Sequence, residues 1–190
     1  MKSTPLKVQG NLDAYTRFRT SKVMYMNEAV YSVAHAISRN VDLAMKFNVS
    51  EAKHGSENYQ VMNYGMGGSI ISHLDSLGET FSLNDQEHYN YGGPRFTTFM
   101  LYLSDVEAGG HTVFSTLGLY VKPRLGDALF WFNLDSAGDY DTRNIHLGCP
   151  VLHGNKWIAN KWVHWLDQMW NYPCYRQKNT PFSLHHFIKP

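Results

Sequence analysis

HLGCPVLHGNKWIANKW, His146 to Trp162, joins two short β-favouring runs across a His153-Gly154-Asn155 turn. Apolar and β-branched residues flanking a glycine-containing turn read as two consecutive strands. The second strand runs from Lys156 to Trp165, and its even-numbered members share one face because side chains alternate along a strand. Lys156, Asn160 and Trp162 therefore point together, beside an apolar strand that His146 precedes. A lysine on such a face costs free energy unless it is paired. An acidic small molecule is a natural partner for it.

Outward from this stretch, the chain after Gly55 keeps the same texture. NYQVMNY, SIISHLD, RFTTFMLYL and GDALFWFN are short β-favouring runs, and glycine-rich turns lie at Gly65–Gly68, Gly92-Gly93 and Gly109-Gly110. Ahead of them, Val30, Val33, Ala34, Ile37, Val41 and Ala44 recur at three- and four-residue steps, which predicts one amphipathic helix from Asn27 to about Lys46 with Asn27 as its cap. The expected fold class is mainly β with flanking α. Neither an internal repeat nor a low-complexity tract interrupts it. The stretch Ser76 to Pro94, SLGETFSLNDQEHYNYGGP, is polar, glycine-containing and long for a loop, and is expected to act as a lid. After Cys174 the tail YRQKNTPFSLHHFIKP shows no period.

The chain has 190 residues and a mass of 21.8 kDa, enough for one domain with a substantial core. Seventeen basic side chains balance 16 acidic ones for a net charge of +1, so no global field steers nucleic acid or an anionic membrane, and neither is expected as a partner. Aromatic residues make up 14%, which suits a β-rich domain with a lined groove. No run of about 18 apolar residues could span a bilayer. The opening MKSTPLKVQGNLDAYTRFRTSK lacks the apolar run of a secretory leader. Cys149 and Cys174 fit either a disulfide in an oxidising lumen or two buried thiols, and composition leaves both open. Asn48-Val49-Ser50 is the one N-x-S/T glycosylation acceptor, with Asn48 as the acceptor residue.

His73-Leu74-Asp75 is the other chemically suggestive pattern. In a strand, residues i and i+2 face the same way, so His73 and Asp75 can present an imidazole and a carboxylate to one ion while Leu74 turns to the core. The pattern is short and arises readily by accident. Its weight comes from its company.

Taken together, these stretches resemble the catalytic domain of collagen-type prolyl 4-hydroxylase α subunits, which are Fe(II)- and 2-oxoglutarate-dependent dioxygenases. The resemblance runs from about Tyr15 to Cys174. It rests on NYGMGG ahead of the H-x-D, RFTTFMLYLSDVEAGGHTVF, GDALFWFNL, and above all HLGCPVLHGNKWIANKW. It implies a double-stranded β-helix (jelly roll) over residues 1–174 and a tail at 175–190, with MKSTPLKVQG standing at a truncated N-terminal edge. It implies that His73, Asp75 and His146 ligate iron as a facial triad, leaving three positions for 2-oxoglutarate and dioxygen. Lys156 matches the lysine that salt-bridges the far carboxylate of the cosubstrate, a charge-assisted contact. Tyr64 and Thr112 match positions that hydrogen-bond the same carboxylate, and Trp162 matches a tryptophan lining the pocket.

For the substrate, the resemblance places Arg95 near the target proline, with Tyr89 and Tyr91 stacking on prolines of an extended peptide beneath the lid. Cys149 and Cys174 match a bridged pair, and a disulfide across that 25-residue separation (174 − 149) would stabilise by about 3 kcal/mol. The implied reaction is 4-hydroxylation of peptidyl proline in collagen-like or proline-rich chains, coupled to decarboxylation of 2-oxoglutarate. Ascorbate as reductant, protein disulfide isomerase as second subunit and the endoplasmic reticulum lumen as location follow from the same resemblance. The family usually carries an aromatic directly after the aspartate, where this chain has Ser76. The alternative is a proline-rich peptide-binding relative without turnover, which has no need of the triad and Lys156. His54, His88, His111, His153, His164, His185 and His186 show no ligand spacing and read as solvated or loop residues.

Overall fold

The computed structural model describes residues 19–49, 55–76, 92–172 and 180–182. Each of the β-favouring runs becomes a strand. In chain order the elements are β1 (Lys22–Met26), α1 (Ser32–Met45), β2 (Tyr59–Tyr64), β3 (Ile70–His73), β4 (Arg95–Tyr102), β5 (Ala108–Gly109), β6 (Thr112–Phe114), β7 (Leu119–Val121), β8 (Ala128–Phe132), β9 (His146–Gly148), β10 (Val151–His153) and β11 (Lys156–His164). They form a five-stranded sheet in the order β1-β2-β11-β4-β8, a four-stranded sheet in the order β3-β9-β6-β7, and a small β10-β5 pair. This is the jelly-roll class, with every strand pair antiparallel.

The five-stranded sheet is a wall with a core on each side. On its inner face Val23, Met62, Tyr64, Met100, Tyr102, Trp131 and Ile158 meet Phe114, Val151 and Ile70 from the facing strands. On its outer face Ala34 of α1 packs on Tyr59, Val61 and Ala159, and Val41 joins Phe47, Phe96, Val163 and Trp165. β11 sits in the middle, so its residues are buried on both faces. That double burial explains why apolar residues lie on both faces of the strand, while the polar Lys156, Asn160, Lys161 and His164 are buried with them.

Two expectations need correction here. α1 starts at Ser32 rather than at Asn27, and its N-cap is Tyr31. Asn27 instead closes a local turn, its side chain accepting from the backbone N–H of Ala29. The reason lies in Glu28, whose carboxylate reaches inward to Lys161 and Ser38, so the chain cannot enter the helix until after that contact. The buried stripe is Ala34, Ser38 and Val41, while Val30 and Val33 are exposed.

Positions 77–91 of the expected lid, with Tyr89, Tyr91 and His88, lie outside the described residues, as do Cys174, Ser50, His54, His185 and His186. Asn48 is half-buried, with its backbone bonded on both sides to the Gln168 amide. Among the described residues no helix is long and apolar enough to cross a membrane.

Candidate metal centre

His73 closes β3 and His146 opens β9, and the two residues face one another in the ladder. The register shifts between Ile70 and His73, so Ile70 packs into the inner core while His73 still turns toward the site. Asp75 lies beyond the strand, in the bend that follows it, so the expected i, i+2 strand geometry is replaced by a turn. Leu74 is half-buried and belongs to none of the three core clusters.

The ligand atoms of His73, Asp75 and His146 all lie within 4.8 Å of one another. His73 Nε2 is 3.6 Å and His146 Nε2 3.9 Å from Asp75 Oδ1, too long for hydrogen bonds and suited to three donors around a shared centre. Each imidazole is oriented from behind. Nδ1–H of His73 donates to the Ile71 carbonyl at 2.8 Å, and Nδ1–H of His146 donates to the Asn144 carbonyl at 2.9 Å. A carbonyl can only accept, so each Nδ1 carries a proton, and the neutral form of each ring then presents its Nε2 lone pair to the centre, the tautomer that a metal requires. Thr98 Oγ1 donates to Asp75 Oδ2 at 2.8 Å and is itself held by the Asn133 amide at 2.9 Å.

Electrostatics favour the same state. Burial pushes the Asp75 carboxyl up, but His73 contact and the His146 and Arg95 charges hold it well below the usual carboxylate range. Burial pushes His146 down, and the nearby His73 and Lys156 charges add to that effect against the pull of Asp75. An ionised carboxylate beside a neutral imidazole is a donor set ready for a divalent ion.

Lys156 is buried on the inner face of β11, opposite Tyr64 in β2. Its ammonium donates to Thr112 Oγ1 at 3.2 Å and stands 5.8 Å and 5.7 Å from the ring centroids of Tyr64 and Tyr102. The Tyr102 hydroxyl also bonds Thr112 Oγ1 at 2.8 Å. Among the described residues no carboxylate pairs with Lys156, and burial lowers its amine to about 8. A buried cation that meets a hydroxyl and two aromatic rings, and no carboxylate among the described residues, fits a bound anion. The triad would hold iron, and Lys156 would take a carboxylate of a bound dicarboxylate.

Trp162 lies farther along the same face, in register with Thr98. The Arg95 guanidinium stacks 3.5 Å above its ring, donates to the Asp75 backbone carbonyl at 3.2 Å, and grips Glu57 through Nε and through Nη2 at 2.8 Å. Trp162 thus stands near Asp75, six residues along β11 from Lys156 (162 − 156). A register shift between β4 and β11, where Thr97 faces Val163 and Arg95 faces His164, turns Arg95 to the site side. His164, expected to be solvated, is buried. Its Nδ1 donates to the Gly93 carbonyl at 2.6 Å and its Nε2 lies 3.3 Å from Glu57 Oε1. Against the pull of burial, His164 and Arg95 hold the Glu57 carboxyl at about 2.

Thr98, Asn133, Glu57 and His164 escaped the sequence reading. Glu57 and His164 carried a faint signal as ionisable residues at strand ends, Glu57 two residues ahead of β2 and His164 the last residue of β11. Of the other histidines, His153 pairs on the surface with Glu107 at 2.6 Å. Cys149 is half-buried and is the one cysteine among the described residues.

Residues 59–164 match the family model described as the 2OG-Fe(II) oxygenase superfamily. The chain belongs to that superfamily. Membership implies Fe(II) and 2-oxoglutarate as cofactors, in agreement with the donor set and the buried Lys156 ammonium. Among curated relatives, human prolyl 4-hydroxylase subunit alpha-1 is 37% identical over 170 residues, covering 88% of this chain and 30% of the relative. The Gallus gallus subunit alpha-1 is 40% identical over 160 residues, covering 83% and 29%. The chain thus spans under a third of the length of these relatives. The 2-oxoglutarate complex of the viral collagen prolyl hydroxylase of Paramecium bursaria Chlorella virus-1 aligns with a TM-score of 0.63 at 26% identity, covering 77% of this chain and 79% of that one.

Proposed function

We propose that this oxygenase domain hydroxylates C4 of peptidyl proline in proline-rich or collagen-like chains, coupled to conversion of 2-oxoglutarate to succinate. The observation that carries this reading is the meeting of His73, Asp75 and His146 within 4.8 Å, on strands that face the buried Lys156, which has no carboxylate partner among the described residues. Identity to prolyl 4-hydroxylase α subunits over 88% of the chain supports the choice of substrate.

In this reading His73, Asp75 and His146 hold iron, and Lys156, Thr112 and Tyr64 hold the far carboxylate of 2-oxoglutarate. Bound iron with 2-oxoglutarate and dioxygen supplies the oxidation: one oxygen atom enters the proline C–H bond, the other enters succinate, and carbon dioxide leaves. The protein's part is to orient. The Ile71 and Asn144 carbonyls hold both imidazoles in the Nδ1–H tautomer. Thr98 fixes one oxygen of Asp75. Arg95, stacked on Trp162 beside Asp75, would meet a peptide carbonyl, with Tyr89 and Tyr91 as further peptide contacts. Ascorbate as reductant, protein disulfide isomerase as second subunit, a Cys149–Cys174 disulfide, glycosylation at Asn48 and the endoplasmic reticulum lumen complete the proposal.

The test is succinate release from 2-oxoglutarate with Fe(II), measured without peptide, with a Pro-Pro-Gly repeat and with polyproline. Peptide-stimulated release that disappears in H146A is the expected result. Iron-loaded, folded protein that releases no succinate with either peptide would leave the domain a peptide-binding module.

A further inference from the structure

Lys161, next to Trp162 but on the opposite face of β11, has no exposed surface. Its ammonium bonds the Glu28 carboxylate and the backbone carbonyl of Glu57, and it lies 4.8 Å from the centroid of the Tyr59 ring. Glu28 also accepts from Ser38 of α1 at 2.7 Å, and Ser38 and Tyr59 share a hydrogen bond at 2.9 Å. A buried ion pair is a poor way to stabilise a sheet, because well-packed apolar residues of similar size do as well or better. What an apolar residue cannot do is hold the Glu57 carbonyl.

Glu57 stands two residues ahead of β2, beyond the last β2–β11 ladder pair, Asn160 with Gln60. Its N–H reaches the Trp162 carbonyl at 3.0 Å, and its own carbonyl is taken by Lys161. Thus clamped at both ends of its backbone, Glu57 presents its carboxylate to Arg95 and His164 on the site side. Arg95 in turn spans Trp162 and the Asp75 carbonyl.

We propose that Lys161 is a positioning residue, which from the helix side of the sheet fixes the Glu57 backbone and through it the placement of Arg95 beside the metal centre. Arg95's contact with peptide belongs to the proposed function, and the consequence for turnover rests on that reading. The placement itself does not.

The test compares K161M/E28L, which removes both buried charges together, with K161R, which keeps a donor, in the full chain. The double variant is expected to remain folded, since the two partners of the buried ion pair are removed together. Hydrogen exchange at Arg95 Nε–H, read by NMR and assigned with R95K, should accelerate about tenfold or more in the double variant as the guanidinium loses its fixed partner, with K161R close to wild type. KM for the peptide should rise about tenfold, while 2-oxoglutarate affinity stays within about twofold, because misplacement acts at Arg95 and not at Lys156. Should the double variant fail to fold, K161Q/E28Q supplies the same comparison with neutral polar side chains. A folded variant lacking the ammonium whose Arg95 exchange matches wild type overturns the proposal. Accelerated exchange in a protein whose wild type turns over no proline peptide retains the positioning role and removes the substrate reading.

Discussion

Asp75 accepts a hydrogen bond on Oδ2 from Thr98, and that contact decides which oxygen remains for a metal. Removing it leaves the carboxylate in place but free to rotate. T98V keeps the volume and deletes the donor, and a partner of this kind is typically worth about 10- to 100-fold in metal affinity. Competition titration of Fe(II) or Mn(II) against a chromophoric chelator should show a loss in that range without change of fold. Lys156 makes a second residue-scale prediction. Burial lowers its amine from 10.5 to about 8, so in the absence of an anion it is charged below that pH and neutral above it. A bound dicarboxylate favours the charged form, and binding above pH 8 must then take up a proton. Affinity for 2-oxoglutarate should be flat below about pH 8 and fall about tenfold per unit above it, a slope that K156M abolishes. Calorimetry in buffers of different ionisation enthalpy reads the proton directly. For folding, the unfolded chain binds the proton more tightly, so the penalty of burying this amine is fully present below about 8 and is relieved as pH rises toward 10.5.

At the scale of elements, the strands were legible because β-favouring runs and glycine turns alternate with little ambiguity, and Lys156 stood out because a lysine does not belong on a core face. The register shifts were not. Nothing in SIISHLD announces that the ladder slips between Ile70 and His73, nor does RFTTFMLYL show the slip that turns Arg95 inward. Both arise from pairing with distant strands, which a local pattern does not encode. The late start of α1 was hidden for the same reason, since Glu28 is drawn off by a lysine 133 residues away. The β5–β10 pair behind Lys156 depends on one visible signal, Gly109-Gly110. Gly109 has a φ of +78°, and a Cβ there would stand 2.3 Å from the Pro150 carbonyl oxygen and 2.8 Å from the Leu152 nitrogen. Both neighbours are backbone and cannot step aside. G109A therefore combines left-handed strain of about 1–2 kcal/mol with a backbone clash, and should lower stability by at least about 2 kcal/mol in a denaturant titration.

For the whole molecule, the arrangement of the two sheets sets what the cosubstrate does. His73 and His146 belong to the four-stranded sheet, whereas Lys156 belongs to the five-stranded one. A metal alone engages the first sheet and the bend at Asp75. 2-Oxoglutarate held at both ends would tie the sheets across the inner core, adding to apolar contacts such as Phe114 with Trp131 and to the hydrogen bonds of Tyr102 and Lys156 with Thr112. Ligands that bind only the folded state stabilise by mass action, about 2.7 kcal/mol at a hundredfold excess over Kd. Mn(II) alone should therefore raise the melting temperature, and 2-oxoglutarate added to the Mn(II) form should raise it again. In K156M the first increment should survive and the second should vanish, because the far carboxylate has lost its cation while the triad is untouched. Phe96→Ala on the helix side should cost about 3–5 kcal/mol and leave both increments in place, since that residue packs only against the outer core. Differential scanning calorimetry of the three proteins separates these outcomes. A full second increment in K156M would mean that the dicarboxylate is not anchored across the sheets.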